Sequence, residues 1–352
     1  MLSKTERART ARQRLLPGFG DVAQERLHAS HVLVVGAGGL GCPALQQLAA
    51  AGIGRITLID SDTVDISNLH RQVLFGAGDV GKPKAEVAAA RARELAPELT
   101  ITARKERLDS TNVLELCAAA DLVLDGSDTF DTKYLVADAC ELTSTPLAWG
   151  TVLRYGGQAA LWHSGHNCAD GRGVGLRDLF PSPPTSESLE CSTAGVLGAT
   201  TSVIAGLMTT AALGWLGKLP HHEELLGRVT SYDAFPGTFR TLRVGADPDR
   251  PLVTALPVES QLPPELRDGH AALLDISEHP TPSAAAVSLP WHTVIDEDSV
   301  RRALASCNTD LVYVACPSGG RSAGFSLRYA DLASEIGIEL RNLPGGLGAY
   351  SF

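Results

Sequence analysis

A glycine-rich turn near the start of the chain has the residue pattern of a phosphate-binding loop. Its four glycines follow the spacing G-x-G-x-x-G and are Gly36, Gly38, Gly39 and Gly41. They lie between the apolar run HVLVV at 31–35 and a predicted helix, whose N-terminal N–H groups can meet a phosphate. Asp60 ends the next apolar run and can accept hydrogen bonds from ribose hydroxyls. Taken alone, this pattern is typical of NAD-dependent oxidoreductases, which remain one alternative.

The residues that follow carry more positive charge than a hydride-transfer site needs. Asn68 and Arg71 lie in the stretch SNLHRQ, and VGKPK contributes Lys84. Cations at this place suit a triphosphate, because they neutralise its several negative charges. Asp128 follows the apolar run DLVLD at the expected carboxyl edge of the sheet, where a carboxylate can hold Mg²⁺ against the phosphates. We therefore expect ATP and Mg²⁺ as cofactors.

Short apolar runs alternate with helical patterns through the first half of the chain. The predicted strands lie at 31–35, 55–60, 99–103, 121–125 and 146–151, and the predicted helices at 39–51, 81–95, 111–119 and 129–142. Alternation at this spacing predicts an α/β fold, a Rossmann-like and mostly parallel sheet with helices on both faces.

After these elements the pattern favours antiparallel additions to the sheet. One strand is predicted at 157–162, and a hairpin at 228–233 and 238–244. Between them, 163–190 is a long loop rich in Gly, Pro and Ser, and 191–217 contains no charged residue. We interpret the uncharged stretch as a helix buried in a large core or at a subunit interface, because its many small residues argue against a membrane span.

A proline-rich stretch at 246–268 predicts a linker between a large domain at 1–245 and a small α/β domain at 269–352. In the small domain, CPSGGR runs from Cys316 to Arg321 after a strand-like segment. Small residues there allow backbone N–H groups to surround a sulfur anion at a helix N-terminus.

The stretch CPSGGR resembles the rhodanese loop C-x-x-G-x-R, whose cysteine carries a persulfide. The resemblance makes Cys316 and Arg321 the predicted sulfur-transfer residues of a rhodanese-like domain. The D-V-R-E motif usual near the start of such domains appears as Asp275-Ile-Ser-Glu278, without the arginine. A rhodanese-like domain without catalytic activity is therefore the alternative.

The large domain resembles the ubiquitin-activating-enzyme-like adenylyltransferases of the MoeB/ThiF type, which act on sulfur carriers of molybdopterin, thiamine and thiolated-tRNA synthesis. Six stretches carry the resemblance in the family's order: Arg12-Gln13 with Leu15-Leu16-Pro17, GAGGLG (36–41), DSDTVDISNLHRQV (60–73), DVGKPKAE (79–86), LDGSDTFDTKYLVADAC (124–140) and CSTAGVLG (191–198).

The resemblance implies roles residue by residue. In that family the acidic residue matching Asp60 holds the ribose, and we also assign the neighbouring Asp62 to the nucleotide site. The one matching Asp128 binds Mg²⁺. The residues matching the triphosphate contacts are Asn68, Arg71 and Lys84.

The resemblance also implies partners. The arginine matching Arg12 reaches the ATP site of the neighbouring subunit, which implies a homodimer. The substrate is a ubiquitin-like sulfur-carrier protein ending in Gly-Gly, whose C-terminal glycine is adenylated and then converted to a thiocarboxylate. A cysteine desulfurase or thiosulfate is the expected sulfur donor, and the rhodanese-like domain favours molybdopterin synthesis or tRNA thiolation as the pathway. A non-catalytic scaffold that docks the carrier without consuming ATP is a further alternative.

The resemblance breaks down at two C-x-x-C pairs, with which family members usually bind a structural zinc. The matching positions are Gly175, Asp178, Arg250 and Val253. We therefore predict no structural zinc and expect packing to hold this region.

Cys191 matches a cysteine that forms a covalent bond to the carrier in some family members. A position just before the helix predicted in the uncharged stretch would favour its thiolate. The alternative is a small apolar residue at a helix start.

The composition of the chain bears on its partners and on its cellular compartment. The net charge of −10 argues against a nucleic-acid partner, because phosphate binding needs a basic surface. The seven cysteines are scattered, and their number is odd, so free thiols in a reducing compartment are expected and we predict a cytoplasmic protein without membrane contact. The basic N-terminal segment weakly resembles a transit peptide, but Arg12 explains it better.

Overall fold

The chain forms two compact units in a computed structural model. The first comprises Met1–Ser182 with Ala194–Pro257, and the second Pro183–Thr193 with Val258–Phe352. The structure describes residues 2–168, 171–183, 195–256, 262–277, 287–294, 296–316, 319–344, 346–347 and 350.

The first unit is built on a sheet whose first five strands are parallel. These strands are β1 (His31–Val35), β2 (Arg55–Ile59), β3 (Thr100–Arg104), β4 (Leu122–Asp125) and β5 (Leu147–Leu153). They lie in the order β3-β2-β1-β4-β5, and β1 and β4 are buried along their whole length. Apolar side chains on both faces of these strands require helices on both sides of the sheet. Each predicted strand is present within two residues of its expected bounds.

Antiparallel strands extend the sheet beyond β5. They are β6 (Gly156–Ser164), the short β7 (Gly173–Val174), β8 (Arg228–Asp233) and β9 (Thr238–Arg243). The order continues β5-β6-β8-β9, and β7 pairs with β6 outside this path. The predicted class, a mostly parallel sheet with antiparallel additions, is confirmed.

Helices cover both faces of this sheet. They are α1 (Lys4–Arg9), α2 (Ala11–Arg14), α3 (Gly20–Ala29), α4 (Gly41–Ala51), α5 (Lys84–Leu95), α6 (Val113–Ala118), α7 (Phe130–Thr143), α8 (Leu176–Leu179) and α9 (Gly198–Gly217). The predicted helix at 191–217 begins only at Gly198, so the prediction placed its start too early. A side chain at Gly198 would lie 2.3 Å from the carbonyl oxygen of His70, which packs the helix start tightly against another loop.

Helix α9 is long and apolar enough to cross a membrane by length and composition alone. Slightly more than half of its most apolar 18-residue stretch is buried inside the protein, and the helix packs against α3, α4, β5 and β6. The helix therefore belongs to the core of the first unit, as the sequence indicated.

Residues 247–253, which the composition assigns to a linker, are bound to the first unit through a group of buried charges. We call Glu141, Arg172, Asp178 and Arg250 the Arg250 cluster. The Arg250 guanidinium donates to Asp178 Oδ1 at 2.9 Å and to Glu141 Oε2 at 2.9 Å. The backbone N–H of Val253 donates to the other Glu141 oxygen at 2.7 Å. The cluster thus ties this segment to α7 and α8.

The Arg250 cluster occupies the place at which the family resemblance puts a zinc. Of the four matching side chains only Asp178 could bind a metal, and its oxygens already accept hydrogen bonds from Arg172, Arg250 and the N–H of Gly175. A guanidinium between the two carboxylates does not fit a zinc site, because zinc requires several anionic or imidazole ligands around one cation. Charge pairing, rather than the packing expected from the sequence, holds the region.

The charges in the Arg250 cluster set the pKa values of its carboxyl groups. Burial alone would raise the pKa of Glu141 and of Asp178, but the hydrogen bonds from Arg250 and from backbone N–H groups outweigh it and hold both below their ordinary values. Both carboxylates are therefore charged at neutral pH.

The second unit contains a separate parallel sheet. Its strands are β10 (Ala272–Asp275), β11 (Val287–Ser288), β12 (Leu311–Ala315) and β13 (Glu339–Asn342), in the order β11-β10-β12-β13. The helices are α10 (Pro264–Arg267), α11 (Glu297–Ala305), α12 (Gly320–Arg328) and α13 (Ala330–Glu335). Val300, Leu304, Val314 and Phe325 lie in its core. The predicted small α/β unit is present, whereas the predicted domain boundaries remain a prediction.

Replacing Arg250 with leucine should destabilise the first unit by about 3–5 kcal/mol, because Glu141 loses its counter-charge and Asp178 keeps only Arg172. The free energy of unfolding at pH 7, from urea titration followed by tryptophan fluorescence, measures the loss. Arg240→Ala in the exposed strand β9 is the control and should change it by less than about 0.5 kcal/mol.

The Arg250→Leu deficit should shrink in acid. Carboxyl groups with a lowered pKa in the folded state stabilise above their unfolded pKa, and this contribution is lost as the pH falls from about 4 downward. Equal stability of variant and wild type at pH 7 would contradict a supporting role for the cluster.

Candidate functional site

The glycine turn lies between β1 and α4 and brings two backbone segments unusually close together. Gly36 has φ +84°, a conformation that favours glycine, and a side chain at Gly41 would lie 1.8 Å from the Gly36 carbonyl oxygen. The first turn of α4 can therefore fold back over the end of β1. Its N–H groups and the positive end of the helix dipole suit a phosphate.

Asp60 connects the end of β2 to this turn. Its Oδ2 accepts a hydrogen bond from Ala37 N at 2.7 Å, and its Oδ1 accepts one from Asp62 N at 2.8 Å. Burial raises the pKa of Asp60, and the charge of the nearby Lys84 offsets part of that effect. The carboxylate stands beside the glycine turn, where the prediction places the ribose.

Lys84 is the first residue of α5 and points into the same region. Its side chain is almost fully buried, and Nζ donates to Asp62 Oδ2 at 2.8 Å. The Lys84 backbone N–H also donates to the Asp62 carbonyl oxygen at 2.9 Å. Asp62 is exposed, so it can release Lys84 to a more highly charged anion.

Arg71 lies against the glycine turn. Its Cγ and Cδ atoms lie 3.3 Å from the position that a Gly39 side chain would take. Its guanidinium donates to the Ser67 carbonyl oxygen at 3.3 Å and contacts His70 Nε2 at 2.9 Å. Asn68 ends the short 3₁₀ turn at Ile66–Asn68, three residues before Arg71. The cations predicted to bind phosphate thus lie close to the turn that would hold it.

Asp128 lies in the loop after β4. This loop touches the glycine turn, because a side chain at Gly36 would lie 3.2 Å from the Gly126 carbonyl oxygen. The Asp128 carboxylate is exposed. Within the described ranges, no group of three or more His, Cys, Asp or Glu could hold a metal by itself. A single exposed carboxylate beside a phosphate site fits Mg²⁺, which commonly takes one or two carboxylates together with phosphate oxygens.

The sequence reasoning missed a buried ion pair directly behind this loop. Lys133, in the second turn of α7, donates from Nζ to Asp125 Oδ2 at 3.1 Å and to the Gly150 carbonyl oxygen at 2.7 Å. Both side chains are almost fully buried. A lysine three and four positions before the apolar Val136 and Ala137, and eight positions after an aspartate that ends a buried strand, is the signal that could have revealed the pair.

The other predicted residues of the first unit are not part of this group. Arg12 is exposed on α2, and in the described part of the chain it makes no hydrogen bond or ion pair with the site residues. The neighbouring Gln13 anchors the helix by donating to Gln24 Oε1 and to the Ala51 carbonyl oxygen, both at 2.9 Å. Cys191 lies outside the described residues.

The second unit places Cys316 directly after β12 and before α12. The thiol is buried, and its Sγ lies 3.4 Å from the Ser322 hydroxyl. The Arg321 guanidinium faces the Trp291 ring at 5.9 Å. Where related domains have an arginine, Ser277 donates its backbone N–H to Asp275 Oδ1 at 2.8 Å, and its hydroxyl binds the same oxygen. Glu278 and the residues between Cys316 and Gly319 lie outside the described part of the chain.

The fold of the first unit, with its glycine turn, carboxylates and cations, is that of the ThiF family. A model of that family matches residues 10–252, and the chain belongs to it. The predicted recognition of a MoeB/ThiF-type domain is thereby confirmed.

Curated relatives carry names that agree with this membership. The chain is 43% identical over 262 residues to a sulfur carrier protein adenylyltransferase of Thermus thermophilus, a match covering 74% of this chain and 95% of the relative. It is 41% identical over 256 residues to the probable adenylyltransferase/sulfurtransferase MoeZ of Mycobacterium tuberculosis, covering 72% and 64%. The chain thus spans less than two thirds of the length of MoeZ.

Solved structures show the same fold at low sequence identity. Escherichia coli MccB with MccA-N7isoASN has a TM-score of 0.60 and 21% identity, covering 72% of this chain and 75% of that one. The crystal structure of PaaA has a TM-score of 0.57 and 22% identity, covering 69% and 75%.

Proposed function

We propose that this protein uses ATP to adenylate the C-terminal glycine of a ubiquitin-like sulfur-carrier protein, and that its second unit supplies the sulfur for a thiocarboxylate. The observation that supports this best is the grouping of Arg71 and Lys84 with the glycine turn and Asp60. The names of the Thermus and Mycobacterium relatives agree with the two activities.

Adenylation requires charge stabilisation more than proton transfer. The carrier carboxylate attacks the α-phosphorus, its new bond forms as the bond to pyrophosphate breaks, and negative charge grows on the leaving group. Arg71 and Lys84 neutralise that charge, and backbone N–H groups of the glycine turn hold the phosphates. The carboxylate is already ionised, so no general base is required.

Lys84 changes partners during substrate binding in this proposal. In the structure its charge is paired with Asp62. A triphosphate competes for the ammonium because it carries more charge than one exposed carboxylate. Asp60 stays hydrogen-bonded to Ala37 N and accepts from the ribose on its remaining lone pairs.

Asp128 is the residue we assign to Mg²⁺. When bound, the ion supplies Lewis-acid neutralisation of the phosphate oxygens. Asp128 suits this role because its carboxylate is exposed at the loop that touches the glycine turn.

A homodimer completes the proposed site. Arg12 is exposed. On the same segment, the apolar residues Leu15 and Leu16 have 77% and 55% of their surface exposed to solvent. An apolar surface beside a basic side chain is typical of a protein interface. We infer that Arg12 serves the nucleotide site of a second copy.

Cys316 is the proposed sulfur carrier of the second unit. A donor such as thiosulfate or a cysteine desulfurase transfers a sulfur atom to the thiolate and forms a persulfide. The terminal sulfur then attacks the carrier's acyl-adenylate and AMP leaves. A further thiol finally breaks the sulfur–sulfur bond, which releases the thiocarboxylate and leaves a disulfide. The Ser322 hydroxyl lies 3.4 Å from Sγ and donates to the Gly319 carbonyl oxygen at 3.0 Å, and rotation of its one proton toward Sγ would stabilise the sulfur anion.

The covalent bond between Cys191 and the carrier stays a prediction. Among the described cysteines, Cys42, Cys117, Cys140, Cys307 and Cys316 are free thiols, which supports a reducing compartment such as the cytoplasm. Molybdopterin synthesis and tRNA thiolation are the pathways we favour.

Pyrophosphate exchange into ATP should occur only with a carrier ending in Gly-Gly. Asp128→Ala should lower the exchange rate at least about 100-fold, because the Mg²⁺ ligand is lost. Glu115→Ala, an exposed carboxylate on α6, is the matched control and should leave the rate unchanged. Unaltered exchange in Asp128→Ala would remove the Mg²⁺ assignment, and NAD binding without exchange would contradict the proposed function.

Mixing two inactive variants tests the shared site. Arg12→Ala and Asp128→Ala subunits should together regain about a quarter of wild-type exchange at equal amounts, because half of the random dimers contain one intact site of two. Exchange by the mixture that stays at the level of the separate variants would count against a site built from two subunits.

Cys316→Ala should leave pyrophosphate exchange intact and abolish thiocarboxylate formation, since only the persulfide chemistry needs this thiol. Mass spectrometry of the carrier detects the sulfur-for-oxygen gain in mass. The control is Cys307→Ala in the same unit, because burial raises the pKa of Cys307 to about 11 and keeps it an inert thiol. Equal sulfur transfer by Cys316→Ala would refute the sulfurtransferase role while leaving adenylation untouched.

A further inference from the structure

Lys133 connects three elements behind the proposed Mg²⁺ ligand. It lies on α7, its ammonium is almost fully buried, and it donates to the last residue of β4 and to a carbonyl in β5. The Trp149 ring lies 6.0 Å from Nζ on another side. An ammonium so enclosed cannot reach a substrate, so any effect on the reaction must pass through its partners.

Asp125 links Lys133 to the loop after β4 through hydrogen bonds. Asp125 Oδ2 accepts a hydrogen bond from Lys133 Nζ. Asp125 Oδ1 accepts from Ser127 N at 2.9 Å and from Ser127 Oγ at 2.6 Å. Ser127 directly precedes Asp128. The carboxylate thus divides its two oxygens between a buried cation and the loop that carries the proposed metal ligand.

The same loop is pressed against the phosphate-binding turn. A side chain at Gly126 would lie 2.9 Å from the backbone nitrogen of Gly41, so the two loops touch through backbone alone. A shift of Ser127 would therefore alter the distance between Asp128 and the phosphates. A metal ligand needs its supporting contacts for this reason.

We propose that Lys133 is a positioning residue that holds Asp128 in its metal-binding position by neutralising Asp125. The proposal rests on the assignment of Mg²⁺ to Asp128 in the proposed function. Without the lysine, Asp125 becomes an uncompensated buried anion and gives up its regular bonds to Ser127 for water or a new cation. A buried ion pair is a weak device for stability compared with apolar packing, so its location beside the site indicates a role in the site.

Lys133→Met tests the proposal through the Mg²⁺ dependence of pyrophosphate exchange. The Mg²⁺ concentration at half-maximal rate should rise about tenfold, as for other residues that orient a metal ligand. The affinity for AMP without Mg²⁺, which depends on Asp60 and the glycine turn, should change by less than about twofold. Lys4→Met, an exposed lysine on α1, should change neither quantity.

The double variant Lys133→Met/Asp125→Asn separates positioning from direct action. The amide oxygen of asparagine can still accept from Ser127, and no buried charge remains, so the Mg²⁺ midpoint should return to within about threefold of wild type. Failure to recover would mean that the lysine charge acts on the phosphates and would overturn the proposal. An unchanged midpoint in Lys133→Met with only a lower melting temperature would reduce Lys133 to a structural residue.

Two further measurements keep the result interpretable. If Lys133→Met does not fold, Ser127→Ala removes one of the two hydrogen bonds between Asp125 and the loop and should raise the Mg²⁺ midpoint about threefold. An unchanged midpoint in Ser127→Ala would overturn the proposal.

Calorimetry of ATP binding to the wild type tests the assignment of Mg²⁺ to Asp128. ATP binding that does not depend on Mg²⁺ would refute the role of Asp128, and that of Lys133 with it, whereas Mg²⁺-dependent binding without exchange would refute only the adenylation.

Discussion

The close backbone approach between the loops after β1 and β4 is the constraint on which the rest of the first unit depends. Neither Gly41 nor Gly126 has room for a side chain, since each would strike the backbone of the other loop or of the turn itself. This approach brings the helix N-terminus, Asp60 and the Asp128 loop to one edge of the sheet. The carboxyl ends of parallel strands meet there, so a single anion-binding place can be served by residues from distant parts of the chain.

Two desolvated charge groups stabilise the surroundings of this edge in different ways. The Arg250 cluster joins a late segment to α7 and α8 at a place where the family resemblance suggests a metal. Lys133 and Asp125 join α7 to two strands directly behind the site. Each group has one member on α7, Glu141 in the first and Lys133 in the second, so this helix takes part in fixing both the outer segment and the inner loop. Charge pairs suit such positions because their hydrogen bonds are directional, whereas apolar contacts tolerate sliding.

The two units serve different steps of the proposed chemistry, and each step needs a different kind of site. Adenylation needs fixed cations and backbone donors around phosphate, which the glycine turn and its neighbouring loops provide. Sulfur transfer needs one thiolate near a helix start, and Cys316 lies between β12 and α12. At Ser277, where the usual arginine is missing, the backbone N–H and the hydroxyl both donate to Asp275.

The sequence by itself determined the class of fold, the glycine turn and most of the candidate site. These features depend on local patterns, namely apolar runs of strand length, glycine spacing and the polar residue that ends each strand. Only the tertiary structure showed at which residue α9 begins, which ion pairs occupy the positions of the family's zinc ligands, and which buried charges support the site. Glu141 and Arg250 are 109 positions apart, and Lys133 and Gly150 are 17 positions apart. No periodicity encodes such a contact, because an ion pair forms wherever folding brings two charges together away from water.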